Sequence, residues 1–222
     1  RSWWSRDKDR QAPLNEPMGR MCAAFLVRDN IRHRRDIEDA YLQAIGQAKF
    51  EIILANAYFF PGLNFRHALL DAARRGVRVI LLLQGKVEYR LLHYAYHALY
   101  GSFLDAGMEI YEYHKSLMHT KVAVIDEHWA TVGSSNLDPL SLLLALEANV
   151  VVMDEDFARD LKGSLEAAIK AGARRVFKRN LRTQTFGIRL ASWLSYGLVR
   201  FMTGMTGYVP GKQPFYPGTV RW

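Results

Sequence analysis

The chain has 222 residues, enough for one substantial domain with an appendage and too few for two large ones. Half of its residues are hydrophobic and 23% are charged, an ordinary globular composition that excludes a disordered chain. The 30 Lys and Arg exceed the 22 Asp and Glu to leave a net charge of +8, which favours anionic partners: nucleic acid, acidic lipid headgroups or phosphorylated small molecules. A solitary cysteine, Cys22, excludes an intrachain disulfide and reads as a core residue in a reducing compartment. No run reaches the roughly 18 apolar residues of a membrane-spanning helix, so the chain is expected to be soluble or peripheral. It opens Arg1-Ser2-Trp3-Trp4, without a Met or a signal-peptide pattern, and reads as a piece of something longer.

Residues 1–20 mix Trp3, Trp4, Pro13 and Pro17 without a period and predict a linker or arm. Met21 to Val27 is a run of strand length. Arg34 to Ala48 places Ile37, Tyr41, Leu42 and Ile45 on one helical face. Glu51 to Ala57 predicts a strand that opens into a loop at Tyr58 to Gly62, after which Asn64 is expected to cap a helix ending at Gly76. Val77 to Leu83 is a nearly unbroken apolar run, the pattern of a buried parallel strand. A helix over Glu88 to Asp105 carries Tyr89, His93, Tyr94, Tyr96, His97, Tyr100 and Phe103 at spacings that fit ordinary packing. Strands are expected at Met108 to Tyr113, Thr120 to Ile125, Ala130 to Ser134 and Ala148 to Met153, and a helix at Asp154 to Ala171. Helices alternating with strands define an α/β fold with a mixed, mostly parallel sheet sandwiched between helices. The composition turns basic near Arg174, which sets a domain over 21–177 and a basic, amphipathic tail over 178–222.

The chemistry concentrates in His119-Thr120-Lys121, Asp126, Gly133-Ser134-Ser135-Asn136 and Glu147. Alternation along a strand turns His119 and Lys121 to one face, so a nucleophile stands beside a phosphate-binding cation. The same parity puts Ser134 and Asn136 on a common side at the next strand end, offering a hydroxyl and an amide to the same oxyanion. Asp126 lies an odd offset from His119 and is turned away from it, toward turn or core hydrogen bonds. Glu147 opens a strand after a loop, where its carboxylate is expected to accept from an imidazole N–H and fix the tautomer. Asn56 and Tyr58, at the exit of a strand, are candidate pocket walls. No His, Cys and carboxylate spacing typical of a metal site occurs, and no glycine-rich phosphate loop.

His-x-Lys, an Asp five residues after the Lys, and a downstream Gly-Ser-x-Asn resemble the phospholipase D superfamily. The strings Phe25 to Asn30, Asn56 to Gly62 and Asp138 to Ser141 look like the bacterial cardiolipin synthases, their B-type branch in particular. The resemblance covers about residues 21–177. It implies a catalytic motif of His119, Lys121 and Asp126. In that family His119 would attack a phosphodiester and form a phosphohistidine, while Lys121 and Asn136, supported by Ser134, hold the non-bridging oxygens. It also implies no cofactor and no metal, phosphatidylglycerol and a second phospholipid or alcohol as substrates, and a peripheral position on the cytoplasmic face of the bacterial membrane. The family takes a second histidine from a second motif copy, which this sequence lacks. The expected partner is therefore an N-terminal half carrying that copy, or a second copy of this chain.

In the tail, Arg174, Arg175, Lys178, Arg179 and Arg182 precede Phe186 to Gly204, where Arg189, Ser192, Ser195, Arg200 and Thr203 fall on one helical arc and Leu190, Trp193, Leu194 and Phe201 opposite. This predicts an anchor on an anionic membrane surface, against the alternative of a helix docked on the domain core. Tyr208 to Trp222 is expected to be irregular. The rival functions are a homodimeric single-motif phosphodiesterase or nuclease and a silent membrane-binding fragment. The Trp and Phe of the tail favour lipid, and no nucleic-acid partner is expected.

Overall fold

The computed structural model describes residues 19–29, 33–87, 90–138, 146–182 and 186–205. Its frame is an eight-stranded sheet in the order β1-β7-β6-β5-β2-β3-β4-β8. The strands are β1 (Cys22–Arg28), β2 (Glu51–Asn56), β3 (Arg78–Gln84), β4 (Glu109–Tyr113), β5 (Lys121–Ile125), β6 (Trp129–Gly133), β7 (Glu147–Met153) and β8 (Ala173–Val176). The helices are α1 (Asp36–Gln47), α2 (Leu63–Arg74), α3 (Arg90–Asp105), α4 (Glu155–Gly172), α5 (Lys178–Arg182) and α6 (Phe186–Met205).

The expected α/β sandwich with a mixed sheet is present, but its strands are mostly antiparallel. Only β2–β3 and β3–β4 are parallel; β5, β6, β7 and β1 follow one another antiparallel, and β8 closes the far edge antiparallel to β4. The apolar run Val77 to Leu83 does form the parallel strand β3, whereas β5 is buried along its whole length and so lacks the alternation that would mark it as antiparallel. One face packs Tyr41, Ile45, Phe65, Leu69, Tyr100 and Phe103 of α1, α2 and α3 onto Leu54, Leu81, Ala123 and Val151. The other packs Ala158 and Leu165 of α4 onto Ile53, Ile80, Val124 and Ala130.

Several local expectations change. Cys22 is exposed on the edge strand β1 instead of lying in the core. Asn64 is not the cap: α2 starts two residues earlier than expected, at Leu63, with Gly62 as the N-terminal boundary. The basic segment at Arg174 is part of the sheet, inside the expected domain over 21–177: Ala173–Val176 pairs with β4 and Arg175 reaches Glu109 at 3.4 Å. Gly76 does end α2, in the left-handed region at φ 91°. The arm over 1–18 and the segment from 206 to 222 lie outside the described residues, as do Glu88 and Tyr89 at the expected start of α3.

The tail helix α6 is docked on the domain, mainly against α3. Val199 belongs to the core cluster, Ser192 is buried, and the Tyr196 ring lies 5.5 Å from Phe60.

Candidate active site

Register places the site at one end of the sheet. Lys121 is paired with Asn56 across β5 and β2, and Gly133 with Asn149 across β6 and β7. Directly opposed residues share a face, so Lys121 and Asn56 point to the side covered by α1, α2 and α3. Lys121 is only 5% exposed. A buried ammonium is costly unless it is partnered, and here its Nζ lies 3.0 Å from each ring nitrogen of His119 and 3.1 Å from the His119 carbonyl oxygen. An ammonium has only hydrogens to donate and a neutral imidazole offers a single lone pair, so at most one of the two ring nitrogens accepts from Nζ while the His119 carbonyl takes another of its hydrogens. His119 itself is exposed at the strand mouth, just before β5, with the ladder continued by Ala57 N–H donating to the Thr120 carbonyl at 3.0 Å.

Two loops frame this pair. The Asn56 Oδ1 accepts from Leu137 N–H at 3.4 Å, and Phe60 N–H donates to the Leu137 carbonyl at 2.7 Å. Phe59 and Leu137 form a parallel bridge, so the segment after β2 and the segment carrying Asn136 are zipped together. Asn136 is buried and Tyr58 half-buried in these two segments.

Asp126 is turned from the imidazole, toward the opposite end of β5. Its carboxylate accepts from the backbone N–H groups of Lys49, Phe50 and Glu51 at 2.7, 2.8 and 2.8 Å. Asp126 and Glu127 adopt φ 52° and 53°, and His128 N–H closes the turn on the Ile125 carbonyl at 3.2 Å. Paired left-handed residues make this a type I′ hairpin turn, which Asp tolerates.

Parity fails past Gly133, where β6 stops. Ser134 is exposed and Asn136 buried, so the two do not share a side. The Ser134 hydroxyl donates to the Glu147 carboxylate and accepts from Ala148 N–H at 3.0 Å. Glu147 is thus engaged by a hydroxyl, not by an imidazole. It stands directly across from Arg28, a fully buried guanidinium on β1.

Sequence reasoning missed Asn149. Its Nδ2 donates to Thr131 Oγ1 at 3.1 Å and its Oδ1 accepts from Ser135 N–H at 3.4 Å, both within buried surroundings. The available signal was a polar residue two positions after Glu147 in an otherwise apolar strand, on the same face by alternation. Among the described residues no group of three or more His, Cys, Asp or Glu is arranged to hold a metal ion.

A sheet of this kind, carrying an imidazole, a buried ammonium and a buried carboxamide at adjoining strand ends, is the framework of the phospholipase D superfamily. Within it, the chain belongs to the family described as "Cardiolipin synthase, PLD-like domain", which matches residues 41–169. The chain is 42% identical to cardiolipin synthase B of Escherichia coli (strain CFT073) over 214 residues, covering 96% of this chain and 51% of the relative. With minor cardiolipin synthase ClsB of Bacillus subtilis it shares 32% identity over 166 residues, covering 75% and 42%. The chain therefore spans about half the length of the curated relatives it matches. Among solved structures, phosphatidylserine synthase of Haemophilus influenzae superposes with a TM-score of 0.64 at 10% identity, over 82% of this chain and 47% of that one. Nuc of Salmonella typhimurium, a phospholipase D family member, superposes with a TM-score of 0.55 at 20% identity, over 71% of this chain and 99% of that one. At those identities the likeness is one of fold.

Proposed function

We propose that this chain is one catalytic half of a cardiolipin-forming phosphatidyltransferase. The observation that carries the reading is the buried Lys121 ammonium held 3.0 Å from both ring nitrogens of His119. A ring nitrogen of His119 attacks the phosphorus of phosphatidylglycerol, the P–O bond to the glycerol headgroup breaks, and a phosphohistidine forms. Lys121 and Asn136 hold the non-bridging oxygens as charge develops, and Ser134, tied to Glu147, fixes the loop between them. The departing alkoxide takes a proton from a second histidine, which then removes the proton of the incoming phospholipid or alcohol hydroxyl. That oxygen attacks phosphorus and releases His119.

The second histidine belongs to a second half, either an N-terminal segment of the same enzyme or another copy of this chain. The site works at an anionic membrane surface, on its cytoplasmic face.

Radiolabelled phosphatidylglycerol supplied to the chain, alone and recombined with an N-terminal half, tests the proposal. Acid-labile, alkali-stable label on the protein and a diphosphatidyl product from the pair are the expected results. Label that persists in His119→Asn, or cleavage of plasmid DNA with no lipid product, overturns it.

A further inference from the structure

The amphipathic helix α6 is mounted with its apolar side outward. Its inner face uses small and polar residues: Ser192 and Val199 are buried, and Ala191, Ser195 and Tyr196 are half-buried against the domain. Its outer face carries Leu190, Trp193, Leu194, Leu198 and Phe201, with Trp193, Leu194 and Phe201 each more than 60% exposed. At 100° per residue these five fall within one arc opposite Ser192 and Val199. Five large side chains exposed together make a contiguous apolar patch of several hundred Å², the size at which an exposed patch on a soluble protein usually marks a contact site. The helix has already satisfied its docking to the protein, and a large apolar face remains.

Charge selects the occupant. All 22 Asp and Glu precede residue 167, whereas 10 of the 30 Lys and Arg follow it. The positive balance of the chain is therefore confined to the segment that contains α6. Arg174, Arg179 and Arg189 are exposed, and Arg189 and Arg200 border the stripe along one edge. Some of the neighbouring cations are already engaged: Lys178 pairs with Asp105, and Arg175 with Glu109. No helix of the described residues is long and apolar enough to cross a membrane. An apolar stripe with Trp and Phe, bordered by Arg and lacking any acidic residue, fits a helix lying in the plane of an anionic leaflet, with its cations at the headgroups.

We propose that the outward stripe of α6 is a lipid-contacting face that seats the domain on an anionic bilayer. The inner face links this seat to the site: Tyr196 packs on Phe60, Phe60 is bonded to Leu137, and Leu137 to Asn56 beside Lys121. That the seated site then works on lipid rests on the function proposed above; the contact with lipid does not.

The test uses the whole chain and vesicles of phosphatidylcholine, with or without phosphatidylglycerol, in co-sedimentation. The expected result is binding to the phosphatidylglycerol vesicles that is weakened about tenfold or more in Trp193→Ser/Phe201→Ser, and likewise in Leu190→Ser/Leu194→Ser, with melting temperatures unchanged. Added salt should weaken the wild type only in part, since the apolar contribution is unscreened. Equal binding by wild type and both variants overturns the proposal. So does a dimeric wild type that the variants render monomeric without loss of vesicle binding, because the stripe then covers a second copy. Lipid binding through the stripe by a reconstituted enzyme that transfers no phosphatidyl group supports the face and overturns the catalytic reading instead.

Discussion

The carboxamide of Asn149 occupies the space that a Cβ on Gly133 would fill, and the Ala148 carbonyl oxygen stands 2.5 Å from the same point. Gly133 is therefore glycine for lack of room, not for backbone freedom. Any side chain there must push Asn149 off Ser135 or move the β7 backbone. Gly133→Ala is expected to destabilise the fold by about 1–3 kcal/mol and to displace the loop carrying Asn136. Thermal unfolding checks the first effect and transfer activity in the complete enzyme the second. A variant with unchanged melting temperature and activity would contradict the crowding.

Lys121 should separate function from stability. Its ammonium is buried against the His119 ring, and replacing a buried charge by an apolar side chain of similar length is often neutral or stabilising. Lys121→Met is thus expected to keep or raise the melting temperature while lowering transfer by at least ~10²-fold. His119→Asn removes the ring that partners the buried ammonium but leaves the backbone carbonyl acceptor, so it should cost about 1–2 kcal/mol and remove turnover by ~10³-fold or more. Near-normal turnover in either variant refutes the assignment.

Asp126 should behave in the opposite way. Three backbone N–H groups at the start of β2 converge on its carboxylate, two of them in exposed surroundings where water can substitute. Asp126→Ala is expected to cost about 2–3 kcal/mol, and Asp126→Asn roughly half of that because one acceptor oxygen survives. Asp126→Gly relieves the left-handed backbone yet still loses the carboxylate, so it should resemble Ala if hydrogen bonding dominates. An inactive Ala variant with a wild-type melting curve would instead place Asp126 in the chemistry.

Much of this was legible in residue order, and the failures have physical causes. Alternation alone brought His119 to Lys121 and turned Asp126 away, because β5 is regular and short. It could not show that β6 stops at Gly133, since Ser134 and Asn136 continue a polar alternation that the backbone does not follow. The strand Ala173–Val176 was hidden because Arg174 and Arg175 are exposed in a four-residue edge strand with little apolar pattern. Helical periodicity located the stripe of α6 but not the side that packs. A periodicity defines two faces, and only tertiary packing says which is inside.

Acid should weaken the domain in two stages through the cluster between α3 and the end of β4. There Glu112 Oε1 lies 3.1 Å from His97 Nε2 and accepts from the Tyr100 hydroxyl at 3.1 Å, while His114 Nε2 is 3.6 Å from Oε2. The His93 ring lies 4.1 Å from that of His97, tilted by 42°, and its Nδ1 lies 3.1 Å from the Tyr96 hydroxyl. Burial, then the neighbouring charge of His97, lowers the His93 pKa from 6.5 to about 4, against a weaker opposing pull from Glu112. A histidine depressed in the folded state binds its proton first in the unfolded chain. Stability must therefore fall as pH drops from about 6.5 toward 4. For Glu112, burial alone would raise the pKa, but the hydrogen bond and charge of His97, the Tyr100 hydroxyl and the charge of His114 together hold it below the ordinary 4.5. Its stabilising contribution is complete above 4.5 and is lost only below that pH. Melting temperatures of the wild type and His93→Gln, measured from neutral pH down to about pH 2.5, separate the two stages. The variant should show a shallower decline through the upper window and the same decline in the lower one. Parallel curves through the upper window would mean that His93 titrates alike in the folded and unfolded chains, and that the cluster draws its pH sensitivity from Glu112 alone.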